Sequence, residues 1–219
     1  MQLLKSVVGR KILMAISGQV MVLFAIAHML GNSSIFIGPN GLNSYAEHLH
    51  SLGPLVWIFR LVMLTFLVVH VFYGIQLTLE NVAANPDSYA VKNYKKANFF
   101  SNNMIWTGVV LLLFIGYHLL HFTVRAMPDV ANFRGEVPGN VFGMVTTAFS
   151  HGSIVFIYLI AMFALFSHLT HGIQSFFQTM GWNNDRTQCG ISSLGKAAAI
   201  FIGVVYVSIP LSIIVGILK

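Results

Sequence analysis

The chain has 219 residues, of which 56% are hydrophobic and only 8% are charged. Soluble domains carry about 25% charged residues, so this composition excludes an ordinary soluble protein and predicts an integral membrane protein. The one cysteine, Cys189, cannot form an internal disulfide or hold a zinc or iron–sulfur centre by itself. The net charge of +6 does not predict nucleic-acid binding, because the basic residues are scattered among apolar runs. Nine histidines stand out in a chain so poor in other ionisable residues.

Five apolar stretches are long enough to cross a bilayer, which takes about 20 residues. In chain order they cover residues 12–37, 55–82, 104–126, 141–180 and 197–218, the fourth with an overhang at one end. The sequence therefore predicts an all-α fold, with five transmembrane helices forming a single membrane domain over residues 1–219. The first apolar run is too long for the core of a signal peptide, so we expect none.

The distribution of lysine and arginine predicts the orientation, because cytoplasmic loops carry the excess of these residues. Eight of them fall on the side where the chain begins: Lys5, Arg10, Lys11, Lys92, Lys95, Lys96, Arg186 and Lys196. Three fall on the other side: Arg125, Arg134 and Lys219. We therefore expect a cytoplasmic N-terminus and an external C-terminus. We also expect a bacterial-type inner (cytoplasmic) membrane.

Six histidines fall inside the predicted spans: His28, His70, His118, His121, His168 and His171. An ionisable side chain inside a membrane is a functional candidate, although an interhelical hydrogen bond or a water-filled cavity also accounts for a single one. At a rise of ~1.5 Å per residue, His28 and His118 each lie ~26 Å from the cytoplasmic side. By the same measure, His70 lies ~15 Å and His168 ~18 Å from it. The four histidines thus form an outer pair on spans one and three and an inner pair on spans two and four.

Both inner histidines begin the same pattern, H-x-x-x-G-I-Q. Gly74 and Gly172 therefore lie one helical turn after the histidine, on the same face. A glycine there leaves room for a large flat ligand, or it lets two helices pack closely. Two imidazoles from different helices at one depth suit a six-coordinate haem iron that carries electrons and does not activate oxygen. Copper or zinc would need further ligands, and no acidic residue lies at these depths.

Other polar residues have less specific interpretations. His121 and His171 each follow a candidate ligand by three residues, so we expect them beside the cofactor or its propionates, or in helix–helix hydrogen bonds. Arg60 lies ~15 Å along its span from the inner pair, where it would bind a haem propionate or extend to the membrane interface. Glu47 is the only acid in the first outer loop and is a candidate for proton exchange with a quinone, or an ordinary solvated residue. We expect Asp129 to be solvated.

The layout resembles the single-chain, two-haem cytochrome b membrane anchor of succinate dehydrogenases and fumarate reductases that use menaquinone. The resemblance covers nearly the whole chain and rests on these motifs: Ser17-Gly18 with Ala27-His28, Val69-His70-Val71-Phe72-Tyr73-Gly74, Gly116-Tyr117-His118, Ser167-His168 with Gly172, and Gly181-Trp182. It implies two b-type haems. His28 and His118 would hold the outer (distal) haem, and His70 and His168 the inner (proximal) one.

The resemblance also implies the partners of the chain. A flavoprotein subunit and an iron–sulfur subunit would bind on the cytoplasmic side, and menaquinone would react near the distal haem, where Glu47 matches a loop that carries a functional acid in some relatives. The chain would then be a quinone-reactive enzyme subunit without a dicarboxylate site of its own, in a complex that can oligomerise further. Some fumarate reductases carry a glutamate for transmembrane proton compensation two residues before the fourth ligand. Phe166 occupies that position here, so we do not expect this pathway.

Two other functions account for some of the same residues. The cytochrome b subunit of a hydrogenase or formate dehydrogenase also uses bis-histidine haems, but it does not predict one ligand on each of spans one to four. A transporter with a histidine relay predicts interrupted helices or several acids inside the membrane. The long uninterrupted spans favour the electron-transfer interpretation.

Overall fold

The computed structural model describes residues 6–84, 103–135 and 139–219. Within these residues the chain is helical and contains no strand. They form seven α-helices: α1 Val7–Asn32, α2 Pro39–Ser51, α3 Pro54–Ala83, α4 Met104–His118, α5 Val141–Phe149, α6 Gly152–Thr179 and α7 Gln188–Ile214. Short 3-10 helices cover Ser33–Ile37 and Pro128–Phe133, and α4 continues into a π-helical turn, Leu119–Thr123.

Five helical segments are long and apolar enough to cross a membrane, which confirms the predicted all-α class and the predicted number of spans. They cover Val7–Ile37, Pro54–Ala83, Met104–Phe133, Gly152–Thr179 and Gln188–Ile214. Large apolar side chains such as Leu113, Phe163 and Phe201 are more than half exposed on these helices. Such a surface is typical of helices that face lipid rather than water.

The fourth predicted span, 141–180, is divided in the structure into α5 and α6, with a break at Ser150 and His151. Phe142, Met144 and Val145 of α5 are each less than a tenth exposed, because α5 packs against the protein. The overhang expected in this span is therefore a separate short helix. An apolar run does not distinguish burial in protein from burial in lipid, which is why the sequence shows one stretch.

The segment predicted as the first outer loop is largely helical, since α2 covers Pro39–Ser51. Proline is favoured at the first position of a helix, where its missing N–H has no partner to lose. Gly38 precedes it with φ +98°, a conformation that residues with a Cβ rarely adopt. The Gly38–Pro39 pair therefore begins a helix instead of continuing a loop.

The helices cross the bundle in alternating directions. Arg10 near the start of α1 binds Glu80 near the end of α3 at 2.6 Å (Nη1 to Oε1), so these two helices are antiparallel. We call this the N-terminal end of the bundle and the other the C-terminal end. At the C-terminal end, the backbone N–H of Phe142 donates to Asn43 Oδ1 at 2.9 Å and ties α5 to α2.

α6 is the central helix and packs against α1, α4 and α7. The core between α1, α6 and α7 is formed by buried Met29, Leu169, Ile173, Ala199 and Ile202. The fifth span, α7, thus contributes to the packed core of the bundle. Lys5, Lys92, Lys95 and Lys96, on which the predicted orientation partly depends, lie outside the described residues.

Candidate functional site

The first pair of histidines joins α1 to the end of α4, in the half of the bundle nearer its C-terminal end. The ring centroids of His28 and His118 lie 5.9 Å apart, with the ring planes at 89°. His28 also stacks on Phe24 of its own helix at 5.4 Å, and Phe114 lies 5.7 Å from the His118 ring. The two imidazoles therefore share one aromatic environment between two helices.

The second pair joins α3 to α6, nearer the N-terminal end. The ring centroids of His70 and His168 lie 6.2 Å apart, with the planes at 71°. The structure thus brings together the same two pairs that the sequence sorts by depth. All four rings are partly buried.

The spacing within each pair suits two ligands of one metal ion. Two imidazoles that bind an ion from opposite sides, with metal–nitrogen bonds of about 2 Å, have ring centroids about 6 Å apart. The observed 5.9 Å and 6.2 Å agree with this value. The centroid distance within each pair is therefore compatible with bis-imidazole ligation.

The hydrogen bonds of the inner pair leave one ring nitrogen available on each histidine. His70 Nδ1 lies 3.0 Å from the Met14 carbonyl oxygen, which can only accept, so this nitrogen carries the proton. His168 Nδ1 lies 3.1 Å from Thr107 Oγ1. The Thr107 hydroxyl donates to the Met104 carbonyl at 3.0 Å, so its oxygen accepts from His168. In the neutral imidazole, Nε2 then has a free lone pair, as a metal ligand requires.

His118 belongs to a longer chain of hydrogen bonds. Its Nδ1 lies 3.2 Å from the Tyr158 hydroxyl, which also lies 3.1 Å from His121 Nδ1. His121 Nε2 in turn lies 2.7 Å from Asp129 Oδ2. His121 is fully buried, and the Asp129 side chain is 13% exposed. The helix–helix hydrogen bond proposed for His121 is therefore present, and the expectation that Asp129 is solvated is wrong.

Sequence reasoning missed Tyr158 as a partner of the outer pair. It is the only tyrosine in α6 and precedes His168 by ten residues. That separation corresponds to ~15 Å along the helix, close to the level of the outer pair. A single polar aromatic residue at that depth is the signal that could have identified it.

Glycines beside the histidines leave space. A Cβ added at Gly74, Gly116 or Gly172 would meet no other described atom within 4 Å, which does not favour close helix packing at these positions. Gly18 is different, because its Cβ would lie 2.9 Å from His70 Cε1. Gly74 and Gly172 each lie one turn after a candidate ligand on the same helix face, so the open space there leaves room for a flat cofactor. Gly116 is exposed and lies two residues before His118, on a different face of α4.

The other predicted site residues are Arg60, Glu47 and His171. The Arg60 guanidinium lies 4.8 Å from the centroid of Trp57, and both side chains are exposed, as in the interfacial alternative for Arg60. Glu47 is exposed on α2, and His171 is partly buried one turn after His168. Their predicted roles with propionates, a quinone or protons stay predictions.

Each pair supplies two nitrogen ligands, and no cluster of three or more His, Cys, Asp or Glu side chains suited to a metal occurs among the described residues. Two imidazoles complete the coordination of an iron that already has four in-plane nitrogens, as in haem, whereas a closed zinc site takes four protein ligands. The donor set and the open glycine positions therefore fit haem. Comparisons with protein-family models, curated proteins and solved structures found no match to this chain.

Proposed function

We propose that this chain is a two-haem cytochrome b, the membrane-anchoring subunit of a succinate:menaquinone oxidoreductase that works as a succinate dehydrogenase or fumarate reductase. The observation that carries the proposal is the pair of imidazole couples on four different helices, with ring centroids 5.9 Å and 6.2 Å apart. Each bound haem would accept and release one electron at a time. Two levels of haem would give electrons a path across the membrane.

The chain's own residues hold and orient the cofactors. His28 and His118 would hold the outer haem, and His70 and His168 the inner one. Hydrogen bonds from Nδ1 to the Met14 carbonyl, Thr107 and Tyr158 fix three of these rings.

The charge distribution supports the proposed orientation, and the resemblance to the two-haem membrane anchors supports the proposed partners. Arg10, Lys11, Arg186 and Lys196 all lie at the N-terminal end of the bundle, which we assign to the cytoplasm of a bacterial-type membrane. The flavoprotein and iron–sulfur subunits would bind at that end, close to the inner haem. Menaquinone would react near the outer haem, with Glu47 as the group that exchanges protons.

The proposal predicts that menaquinol reduces the haems. The oxidised, purified chain is mixed with a water-soluble menaquinol, and haem reduction is followed by visible absorbance. Reduction of the outer haem is the expected result, and a haem-loaded chain that menaquinol does not reduce would overturn the quinone assignment.

The assignment of Glu47 is tested separately in the Glu47→Gln variant. Retention of both haems with slower reduction by menaquinol supports it. An unchanged rate would remove Glu47 from the quinone site.

A further inference from the structure

Four side chains form a continuous line of hydrogen bonds from the C-terminal end of the bundle to a candidate haem ligand. The line runs from the Asp129 carboxylate through the His121 ring and the Tyr158 hydroxyl to His118 Nδ1, over distances of 2.7, 3.1 and 3.2 Å. His121 is fully buried and Tyr158 is 6% exposed. Water therefore has little access to the two central members of the line.

The carboxylate sets the direction of every bond in this line when His121 is neutral. An ionised Asp129 can only accept, so the proton of His121 is on Nε2 and its Nδ1 is an acceptor. The Tyr158 hydroxyl then donates to His121 Nδ1, and its oxygen accepts from His118 Nδ1. His118 Nε2 is left with a free lone pair. The opposite direction would put a proton on His118 Nε2 and deny a metal its ligand.

Three local features hold Asp129 and His121 in place. The π-helical turn Leu119–Thr123 begins directly after His118, and π turns frequently occur at functional sites because they re-aim side chains. The His121 ring stacks on Phe122 at 4.2 Å and 20°. The segment that carries Asp129 is fastened by Arg125, which has φ +57° and whose guanidinium donates to the Phe133 carbonyl.

We propose that Asp129 is a positioning residue for the outer haem. With His121 neutral, Asp129 acts through His121 and Tyr158 to fix the tautomer and the electron-donating strength of His118. This inference rests on the proposed function, since it concerns a haem bound by His118. Two other ligand candidates are oriented without a carboxylate: His70 by the Met14 carbonyl, and His168 by the Thr107 hydroxyl, which donates to the Met104 carbonyl.

The inference predicts a specific shift of one midpoint potential. A ligand that donates its N–H to an anion-backed acceptor is a stronger electron donor, which favours the oxidised iron. Asp129→Asn removes the charge and offers an amide donor to His121, so the potential of the outer haem should rise and that of the inner haem should stay unchanged. Asp129→Glu keeps the carboxylate and should give a smaller shift.

A double-mutant cycle separates this relay from simple loss of a nearby charge. Tyr158→Phe breaks the line but keeps the Asp129 charge, and it should raise the potential of the same haem. In the Tyr158→Phe background, Asp129→Asn should add little further shift, because the connection is already broken. Asp185→Asn, an exposed site at the other end of the bundle, is the matched charge control and should shift neither the outer haem nor its spectrum.

The measurement is a redox titration, followed by visible absorbance, of the haem-loaded chain and each variant. Non-additive upward shifts confined to the outer haem support the inference. Additive shifts, equal shifts of both haems, or no shift in Tyr158→Phe would overturn it. If Asp129→Asn does not retain the outer haem, the cycle is run with Asp129→Glu in the wild-type and Tyr158→Phe backgrounds, and the same outcomes apply. A wild-type chain that binds no haem would overturn the proposed function itself.

Discussion

At the scale of single residues, the position of His70 depends on a glycine of the neighbouring helix. A Cβ at Gly18 would lie 2.9 Å from His70 Cε1 and 3.1 Å from its Nδ1. The same ring nitrogen binds the Met14 carbonyl one turn away on α1. Gly18 therefore lets the imidazole lie directly against the α1 backbone. Gly108 beside His168 is less crowded, since its Cβ would be 3.6 Å from His168 Cε1.

These two glycines give a matched pair of variants. Gly18→Ala should displace His70 at a cost of about 1–3 kcal/mol, which is typical of overpacking. Haem analysis of the purified variant should show reduced occupancy of the inner site. Gly108→Ala makes only an ordinary van der Waals contact and should retain both haems. Equal haem content in the two variants would contradict this account of Gly18.

Thr107 offers a second test at this scale. Thr107→Val leaves the Nδ1–H of His168 without its acceptor, and a buried unpaired donor costs about 1–3 kcal/mol. We expect weaker retention of the inner haem during denaturant titration. Thr65→Val is the control, because the Thr65 hydroxyl bonds the Leu61 carbonyl on an exposed face. A similar loss of haem in both variants would show that the threonine-to-valine change itself, and not the lost bond to His168, weakens haem retention.

The pairing of the histidines was predictable from the sequence, whereas some of their hydrogen-bond partners were not. The histidines could be paired from their depth, because the rise of a helix is fixed and each span has a clear beginning. The depth of Tyr158 was predictable, but its hydrogen bond to His121 was not, because that needs the rotation of α6. The bond between His121 and Asp129 was not predictable either, because it needs the path of the chain after α4. The Asp129 carboxylate looks like a solvated loop residue in sequence, whereas the structure pairs it with a buried imidazole.

At the scale of elements, α3 is the span with the least protein around it. None of its most apolar window is buried within the structure. Specific polar contacts therefore matter for its position, and one of them is the 2.6 Å ion pair between Arg10 and Glu80. Gln76 donates to the same carboxylate at 3.1 Å.

Removal of this ion pair should weaken the attachment of α3. We expect Glu80→Gln to cost up to about 1 kcal/mol, the range of partly exposed ion pairs, and to lower the Tm of the solubilised protein by about 2–4 °C. Glu47→Gln, the same change at an exposed site of α2, should leave the Tm unchanged. An unaltered Tm in both variants would show that lipid and apolar contacts alone hold α3.

At the scale of the whole molecule, five helical segments of membrane length place the first and last described residues at opposite ends of the bundle. The number of spans was predictable because an apolar run of membrane length is a strong signal. The division of residues 141–180 into α5 and α6 was not, because α5 is as apolar as a span but packs under the C-terminal end of the bundle. The π-helical turn after His118 was not predictable either, since nothing in the sequence indicates a π turn.

The proposed orientation has a direct test in the single cysteine. Cys189 is exposed near the start of α7, at the N-terminal end of the bundle. A membrane-impermeant maleimide should label it in inverted vesicles and not in right-side-out vesicles. A Cys189→Ser chain that carries Lys219→Cys should show the reverse pattern. Labelling of Cys189 in right-side-out vesicles would show that the chain has the opposite orientation to the one we propose.

The measurement that tests the central claim most directly is a count of haems per chain in the wild type and in four single variants. Reduced-minus-oxidised spectra of the purified protein should show two b-type haems. His28→Ala and His118→Ala should each lose one and the same haem, and His70→Ala and His168→Ala should each lose the other. A folded wild-type chain without a b-type spectrum, or variants of one pair that lose different haems, would contradict the account.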